Sequence, residues 1–241
     1  MKGVILAGGT GTRLGILTKV VNKHLLPIYD KPMIMYPLNT LINFGIKSIM
    51  IVTDKGRAGD FMKLLGSGRE YGVKFTYGLQ DDPAGIPDAI SIARDFANNS
   101  DIIVILGDNI FFNNVSYTDN KKNIATLFLK KVKDPKRFGV AKFDGNKIVD
   151  IIEKPEDDFS KMVVTGLYKY PPDIFEKIES LSKSERNELE VTDLNKILLQ
   201  ENRLNYKIIK NAWYDAGTVE SLIQAQNMAK KLSINHKKQG I

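Results

Sequence analysis

Three glycines near the start of the chain stand where a backbone could bind phosphate. The run from Gly8 to Leu14 reads GGTGTRL and directly follows an apolar segment, residues 3–7. Glycines let the main chain approach a ligand closely, so that successive N–H groups can bind phosphate oxygens. A neighbouring arginine supplies a fixed cation. This pattern points to nucleotide or phosphate binding by Gly8, Gly9, Gly11, Thr12 and Arg13.

Two other phosphate-binding motifs fit this run poorly. A dinucleotide-binding fingerprint requires a third glycine or an alanine where Leu14 stands. A Walker A loop, with glycine and lysine followed by serine or threonine, is absent from the sequence. The missing glycine weakens an NAD-dependent redox enzyme as an alternative, while a plain structural turn stays open for the motif taken alone.

Two aspartates could bring their carboxylates to one metal ion. Asp108 follows the apolar segment 102–106, so we expect it at the carboxyl edge of a sheet, where open α/β folds bind ligands. Asp215 stands between Trp213 and Gly217. Each alone could be a turn residue. Together, on triphosphate oxygens, two carboxylates are the usual way to hold Mg²⁺, which keeps water and phosphate as its other ligands.

Composition narrows the function classes. The 241 residues are 43% hydrophobic, with no cysteine and two histidines, which excludes disulfides and Cys-ligated zinc and disfavours a His-rich metal site. The net charge of +7 suits an anionic partner, but no basic and aromatic cluster on a recognisable module supports nucleic acid. No apolar stretch approaches the roughly 18–20 residues of a membrane span, and no signal peptide is evident. We therefore expect a cytoplasmic protein with no membrane partner.

The hydrophobic pattern predicts alternating strands and helices, and these elements must position the candidate binding and catalytic residues. Continuous apolar strands separated by helices indicate parallel strands joined by right-handed crossovers. The predicted fold class is therefore α/β, with a doubly wound, mostly parallel mixed sheet. In the first half, the strands are predicted at 3–7, 48–52, 73–77 and 102–106, and the helices at 32–44, 58–65 and 87–96.

The rhythm changes after Asp108 and predicts a smaller, β-rich lobe closed by helices. The apolar face of the segment 219–232 is expected to be core or a subunit contact. No repeat or unstructured linker divides the sequence, which favours one domain over residues 1–241. In this half, strands are predicted at 125–132, 139–143, 148–153 and 162–170, and helices at 172–181, 192–200 and 219–232.

The glycine run is the first of several short motifs in a fixed order. In this order and spacing they cover essentially the whole chain, which resembles the nucleotidyltransferases that make sugar nucleotides. The later motifs are KHLLP at 23–27, LGDN at 106–109, EKP at 153–155, VTGLY at 164–168, ELEVTD at 188–193 and W-x-D-x-G-T at 213–218.

The resemblance implies a Rossmann-like fold and an enzyme that joins a nucleoside triphosphate to a sugar 1-phosphate and releases pyrophosphate. Within the family the likeness is greatest to the members that use dTTP and glucose 1-phosphate, in a short form without an added C-terminal domain. It also implies Mg²⁺, a homo-oligomer that is a dimer or tetramer, and a part in deoxysugar and polysaccharide synthesis. The expected lobes bind nucleotide at about residues 1–110 and sugar phosphate, with closing helices, at about 111–241.

The resemblance also assigns roles to individual residues. Asp108 and Asp215 are the implied metal ligands, and Gln80 reads the pyrimidine edge of the base beside Gly85. The implied catalytic residues are Arg13, Lys23, Asp108, Lys154 and Asp215. The implied nucleotide-binding residues are Gly8, Gly9, Gly11, Thr12, Arg13, Gln80, Gly85 and Asp108, and the sugar-phosphate residues are Asn109, Gly139, Glu153, Lys154, Val164 and Gly166.

Several positions depart from the family pattern. Gly15-Ile16 replaces a common Tyr-Pro, His24 stands where many relatives have Gln, and the loop 84–89 reads AGIPDA rather than GGxAQA. A hydrophobic pocket distinguishes thymine from uracil, which differ by one methyl, by only about 1–3 kcal/mol. UTP is therefore an open alternative to dTTP. A non-catalytic sensor of sugar nucleotides is another, against which the intact arginine, lysine and aspartates argue.

Overall fold

The computed structural model describes residues 1–9, 11–113, 115, 117–118 and 121–238, with side chains described as far as residue 234. The strands are β1 Lys2–Leu6, β2 Pro27–Ile28, β3 Lys31–Pro32, β4 Ser48–Asp54, β5 Lys74–Gln80, β6 Ile102–Leu106, β7 Asn109–Phe111, β8 Ala125–Lys131, β9 Gly139–Asp144, β10 Lys147–Glu153, β11 Met162–Tyr170, β12 Leu204–Ile208 and β13 Trp213–Asp215. The α-helices are α1 Met35–Asn43, α2 Ala58–Leu65, α3 Ile86–Ser91, α4 Arg94–Ala97, α5 Ile174–Glu179, α6 Val191–Gln200 and α7 Val219–Lys238.

Within the described residues, the first half of the chain forms four neighbouring parallel strands of a nine-stranded sheet. Strands β6, β1, β4 and β5 lie side by side in that order, and each neighbouring pair is parallel. Along β1, Val4 packs in one hydrophobic cluster with α3, and Ile5 packs in a second cluster with α1 and α2. Both faces of the strand are therefore buried, which explains its continuous apolar sequence. The predicted α/β class is confirmed.

The second half adds antiparallel strands to the same sheet. Strand β11 pairs antiparallel with β6, and β9 and β8 in turn pair antiparallel with β11. The hairpin of β9 and β10 forms one edge, while β12 runs parallel to β8. The four strands predicted for this half are present with boundaries close to those expected, and β12 is an addition.

Some predicted helices begin or end elsewhere. The helix expected at 32–44 starts at Met35, because Pro32 pairs with Pro27 in the small β2–β3 hairpin. The helix expected at 87–96 is broken between α3 and α4, where Ala93 leaves helical geometry with ψ near 5°. None of the helices in the described ranges has the length and apolar character needed to cross a membrane.

Helix α7 continues past its expected end, and its apolar face packs on the body of the protein. Leu222, Ala225 and Ala229 are buried in a cluster that also contains Leu14 and Ile28. This face is therefore core, one of the two roles expected for it.

A two-stranded sheet outside the main sheet connects distant parts of the sequence. Strand β7 pairs antiparallel with β13, so that Asn109 lies opposite Asp215. The Ala216 N–H donates a hydrogen bond of 2.9 Å to the carbonyl oxygen of Asp108. This sheet sets the backbone of the residues after β6 beside the segment that ends in Asp215.

Candidate active site

The glycine loop is a compact turn at the carboxyl end of β1. Gly9 and Gly11 have φ of 93° and 64°, in the left-handed region that glycine adopts without steric cost. A Cβ on Gly11 would lie 2.9 Å from Cγ2 of Thr18 and 3.3 Å from Cβ of Lys23. The Thr18 hydroxyl also donates to the Gly11 carbonyl at 3.0 Å. Both the backbone conformation and the space thus require glycine at position 11.

Lys23 and Asp108 form an almost buried ion pair in the cleft beside this loop. The Lys23 Nζ atom lies 2.5 Å from Oδ2 of Asp108, and the two side chains are 14% and 8% exposed. Burial alone would raise the pKa of the Asp108 carboxyl, but the charge and hydrogen bond of Lys23 hold this pKa below its usual range. The structure therefore keeps Asp108 as a carboxylate.

His24 lies behind this pair and is neutral. Its Nδ1 atom is 2.8 Å from Oδ1 of Asn22, which also accepts the backbone N–H of His24 at 2.9 Å. Burial, helped by the charge of Lys23, lowers the pKa of His24 to about 3. The histidine that replaces the Gln of many relatives is therefore uncharged at neutral pH.

Asp215 is close enough to Asp108 for the two carboxyls to influence each other. Burial raises the pKa of the Asp215 carboxyl, and the negative charge of Asp108 raises it further. The positive charges of Arg13 and Lys23 act in the opposite direction. Two acids and two bases that are far apart in the sequence therefore share one electrostatic site.

Gly217 leaves the space in which Arg13 lies beside Asp215. A Cβ on Gly217 would be 2.7 Å from Nη2 of Arg13 and 3.0 Å from Oδ1 of Asp215. A second arginine also reaches this carboxylate, since Nη2 of Arg137 lies 3.7 Å from Oδ2 of Asp215. Arg137 was not predicted, because it belongs to none of the motifs and follows a loop of no recognisable pattern.

The aspartate pair provides a suitable donor set for a divalent cation that also binds phosphate. No group of three or more His, Cys, Asp or Glu side chains suited to a metal occurs among the described residues. Asp108 and Asp215 would supply two oxygen ligands and leave the other coordination positions to phosphate and water, as is usual for Mg²⁺. A cation would also relieve the repulsion that raises the pKa of Asp215.

Asn109 joins the aspartate site to the antiparallel strands. Its Oδ1 accepts the backbone N–H of Gly166 at 2.9 Å and the indole N–H of Trp213 at 2.8 Å. Its Nδ2 donates to Oδ1 of Asp108 at 3.1 Å. A Cβ on Gly166 would lie 2.8 Å from Cγ of Asn109. The predicted sugar-side residues Asn109 and Gly166 are therefore in direct contact, and Val164 precedes Gly166 on β11.

A second sugar-side group forms where β9, β10 and α6 meet. The Thr192 hydroxyl donates to Oε2 of Glu153 at 2.7 Å, and Nζ of Lys154 lies 3.7 Å from Oε1 of the same carboxylate. A Cβ on Gly139 would lie 3.2 Å from the Thr192 hydroxyl oxygen. The predicted residues Gly139, Glu153 and Lys154 are thus brought together, and Thr192, which the prediction omitted, positions the carboxylate.

A cleft of about 270 Å³ brings together most of the predicted nucleotide residues. Asp215 on β13 and the predicted sugar-side residues on β7, β9, β10 and β11, with Lys154 just after β10, are not among the residues that line it. Thr12 starts the 3-10 helical segment Thr12–Thr18, which is kinked at Gly15, and Thr10 lies outside the described residues. Seven predicted residues line the cleft: Gly8, Gly9, Arg13, Lys23, Gln80, Gly85 and Asp108.

Comparison with known proteins agrees with this geometry. A family model described as nucleotidyl transferase matches residues 2–231. The chain is 44% identical to a glucose-1-phosphate thymidylyltransferase of Neisseria gonorrhoeae, over 93% of this chain and 81% of that protein. It is 42% identical to one of Xanthomonas campestris pv. campestris, over 97% of this chain and 82% of that protein.

Solved structures give the same picture. A Bacillus anthracis protein provisionally assigned as a glucose-1-phosphate thymidylyltransferase, in complex with a sucrose, has a TM-score of 0.88 and 45% identity, with 95% of each chain covered. A UDP-glucose pyrophosphorylase complexed with UDP-glucose has a TM-score of 0.82 and 27% identity, covering 95% of this chain and 98% of that one. The chain belongs to the nucleotidyl transferase family.

Proposed function

We propose that this protein transfers a thymidylyl group from dTTP to α-D-glucose 1-phosphate, giving dTDP-glucose and pyrophosphate. The relatives named glucose-1-phosphate thymidylyltransferase support the substrates, because they match nearly the whole chain. One observation supports the chemistry above the others. The pairing of β7 with β13 brings Asp215 near Asp108, where Asp108, Arg13 and Lys23 all influence its charge.

The reaction is the attack of one phosphate on another. An oxygen of the sugar phosphate forms a bond to the α-phosphorus of dTTP, and the bond from that phosphorus to the β-phosphate oxygen breaks. The electron pair of the broken bond leaves with pyrophosphate. The attacking group is already an oxyanion, so no general base is needed, and the difficulty is to align two anions. Positioning of this kind can supply about 7–11 kcal/mol of the barrier.

The cationic side chains align the two anionic substrates. Arg13 neutralises the departing pyrophosphate, while Lys23 and Lys154 hold the reacting phosphates. Gly8, Gly9, Gly11 and Thr12 bind the triphosphate, and Gln80 and Gly85 contact the base. The sugar and its hydroxyls contact Asn109, Gly139, Glu153, Val164 and Gly166.

A divalent cation, Mg²⁺ in this proposal, would be held by Asp108 and Asp215. When bound, it would supply positive charge to the triphosphate oxygens. The ion pair of Lys23 with Asp108 keeps that carboxyl ionised, which is the form that a metal requires.

Three further features belong to the same proposal. The chain acts as one domain, with a nucleotide lobe at about residues 1–110 and a sugar-phosphate lobe with closing helices at about 111–241. It assembles as a dimer or tetramer and works in the cytoplasm.

UTP is the second candidate for the triphosphate, because the UDP-glucose pyrophosphorylase structures share the fold at 27% and 26% identity.

One substrate matrix tests the proposal. Purified protein with Mg²⁺ is given each of several nucleoside triphosphates with each of several sugar 1-phosphates, and pyrophosphate release is measured. We expect the highest kcat/KM with dTTP and glucose 1-phosphate. A higher value with UTP would make the enzyme a uridylyltransferase. If no pair releases pyrophosphate while nucleotide sugars bind, the protein is a sensor and the proposed reaction is wrong.

A further inference from the structure

Gln80 has a side-chain amide whose two ends have opposite hydrogen-bonding properties. The residue ends β5, is 9% exposed, and lines the cleft between the glycine loop and Gly85. Its Oε1 can only accept a hydrogen bond, and its Nε2 can only donate. The end that faces the nucleotide therefore decides which bases Gln80 can bind.

Among the described residues, the Gln80 Nε2 atom donates to two partners, and both are acceptor oxygens. Nε2 donates to Oδ2 of Asp88 at 2.7 Å and lies 3.5 Å from the carbonyl oxygen of Gly85. Turning the amide over would place Oε1 against a carboxylate oxygen, an acceptor facing an acceptor, which costs about 1–3 kcal/mol or more. The chemistry of these neighbours thus fixes the orientation of the amide.

The opposite end of the amide faces the glycine loop. A Cβ on Gly8 would lie 3.1 Å from Oε1 of Gln80, so the absence of a side chain at Gly8 leaves this acceptor uncovered. Gly8 and Gln80 line the same cleft. The only hydrogen-bonding property that Gln80 then offers on this side is that of an acceptor.

We propose that Asp88 is a positioning residue that fixes Gln80 as an acceptor and so restricts the triphosphate to bases with an imide N–H. Thymine and uracil carry that donor at N3, whereas cytosine has a lone pair there and would set an acceptor against an acceptor. This inference rests on the proposed function and defines its substrate class. Asp88 leaves the choice between dTTP and UTP unaffected, because their N3 edges are the same.

The position of Asp88 suits this role. It lies in the first turn of α3, a helix that packs against β1 in the core. A group held on a packed helix keeps its geometry better than one on a free loop. Asp88 also stands within the segment 84–89, where this sequence departs from the family pattern of GGxAQA.

The variants Asp88→Asn and Asp88→Glu test this inference, with Asp82→Asn as a control that removes the same charge from an exposed neighbour. For each protein, kcat/KM is measured with dTTP, UTP and dCTP at saturating glucose 1-phosphate. An asparagine amide can donate to Oε1 of Gln80 and let the glutamine turn over. We therefore expect Asp88→Asn to reduce the preference for dTTP over dCTP by at least about tenfold.

Further measurements serve as controls for the proposed role of Asp88. The ratio of UTP to dTTP should stay constant in all variants, Asp88→Glu should keep most of the preference, and Asp82→Asn should match the parent. Equilibrium binding of dTTP and dCTP to the parent and Asp88→Asn, with thermal unfolding as a folding check, gives the same comparison without turnover. A parent that binds but never turns over would refute the proposed reaction alone. If the preference of Asp88→Asn for dTTP over dCTP stays within about twofold of the parent value, the proposed role of Asp88 is wrong.

Discussion

The proposed nucleotide side and the proposed sugar side of the site differ in how their residues are held in place. On the nucleotide side, the parallel strands end in glycine-rich backbone, whose shape leaves room for ligand and cations. On the sugar side, the antiparallel strands carry side chains held by hydrogen bonds, such as Thr192 to Glu153. The carboxylates Asp108 and Asp215 lie at the seam between them. We therefore expect nucleotide binding at the glycine-rich backbone to be sensitive to added side-chain volume, and sugar binding to be sensitive to the loss of single hydrogen bonds.

Substitutions of Asp108 and Asp215, between the two sides, should have the largest effects. Asp108→Asn and Asp215→Asn keep the shape of each side chain but remove a carboxylate charge that the proposed metal site requires. We expect each to reduce kcat by about 10³-fold, the upper end of the range for loss of one electrostatic group. Pyrophosphate release measures the rate, and circular dichroism with thermal unfolding shows whether the fold persists. Near-normal turnover in both folded variants would remove the aspartates from the mechanism.

A clash on the nucleotide side should come next. A Cβ on Gly85, which has φ of 105°, would lie 2.1 Å from the backbone carbonyl oxygen of Leu189. Gly85→Ala must therefore displace the base-side loop, and we expect kcat/KM for dTTP to fall by about 10²-fold, as for other small misplacements of a site. The KM for glucose 1-phosphate should change little.

Gly145→Ala is the matched control for that substitution. Gly145 also has a positive φ, of 56°, but a Cβ there would meet nothing within 4 Å. This variant carries the backbone strain without the clash and should keep parental kinetics. Equal losses in both variants would mean that strain, rather than volume, governs the nucleotide side.

A single hydrogen bond on the sugar side should have a smaller effect. Thr192→Val keeps the side-chain shape but removes the hydroxyl that donates to Glu153. We expect the KM for glucose 1-phosphate to rise by about 3–10-fold, the value of one hydrogen bond, with an unchanged KM for dTTP. Steady-state kinetics with each substrate varied in turn measures this split, and Thr76→Val on β5 serves as a control. A larger change for dTTP would contradict the proposed division of the site.

The smallest effect is expected from a substitution outside the sugar side, which should lower stability alone. The buried Tyr170 hydroxyl donates to Oδ1 of Asn195 at 2.8 Å and ties α6 to the sheet. Tyr170→Phe leaves that acceptor unpaired, so we expect the free energy of unfolding to fall by about 1–2 kcal/mol. Denaturant unfolding measures the loss, and both KM values should stay at parental levels. A raised KM for glucose 1-phosphate would show that α6 moves with the site.

Local patterns in the sequence predicted most of the elements. Apolar runs such as residues 102–106 mark buried strands because a strand covered on both faces has no polar positions. The same logic placed Asp108 at a ligand-binding edge of the sheet. The break between α3 and α4 was missed, because apolar periodicity continues through it.

Contacts between distant segments were beyond the reach of such patterns. Strands β7 and β13 have three residues each and are about a hundred positions apart, so neither carries a periodic signal of its own. The link from Asn109 to Gly166 and Trp213, and the approach of Arg137 to Asp215, depend on that pairing or on loop geometry. Motif resemblance named Asn109 and Asp215 but could not give their partners.

The pairing of β7 with β13 has a consequence for biosynthesis. Asp108 precedes Asp215 by about a hundred residues, so the ribosome makes the glycine loop and the strands β1, β4, β5 and β6 well before it makes β13. A growing polypeptide can therefore fold those elements while it still lacks one of the two aspartates. We expect a nascent chain that stops before β13 to bind nucleotide at most, without turnover.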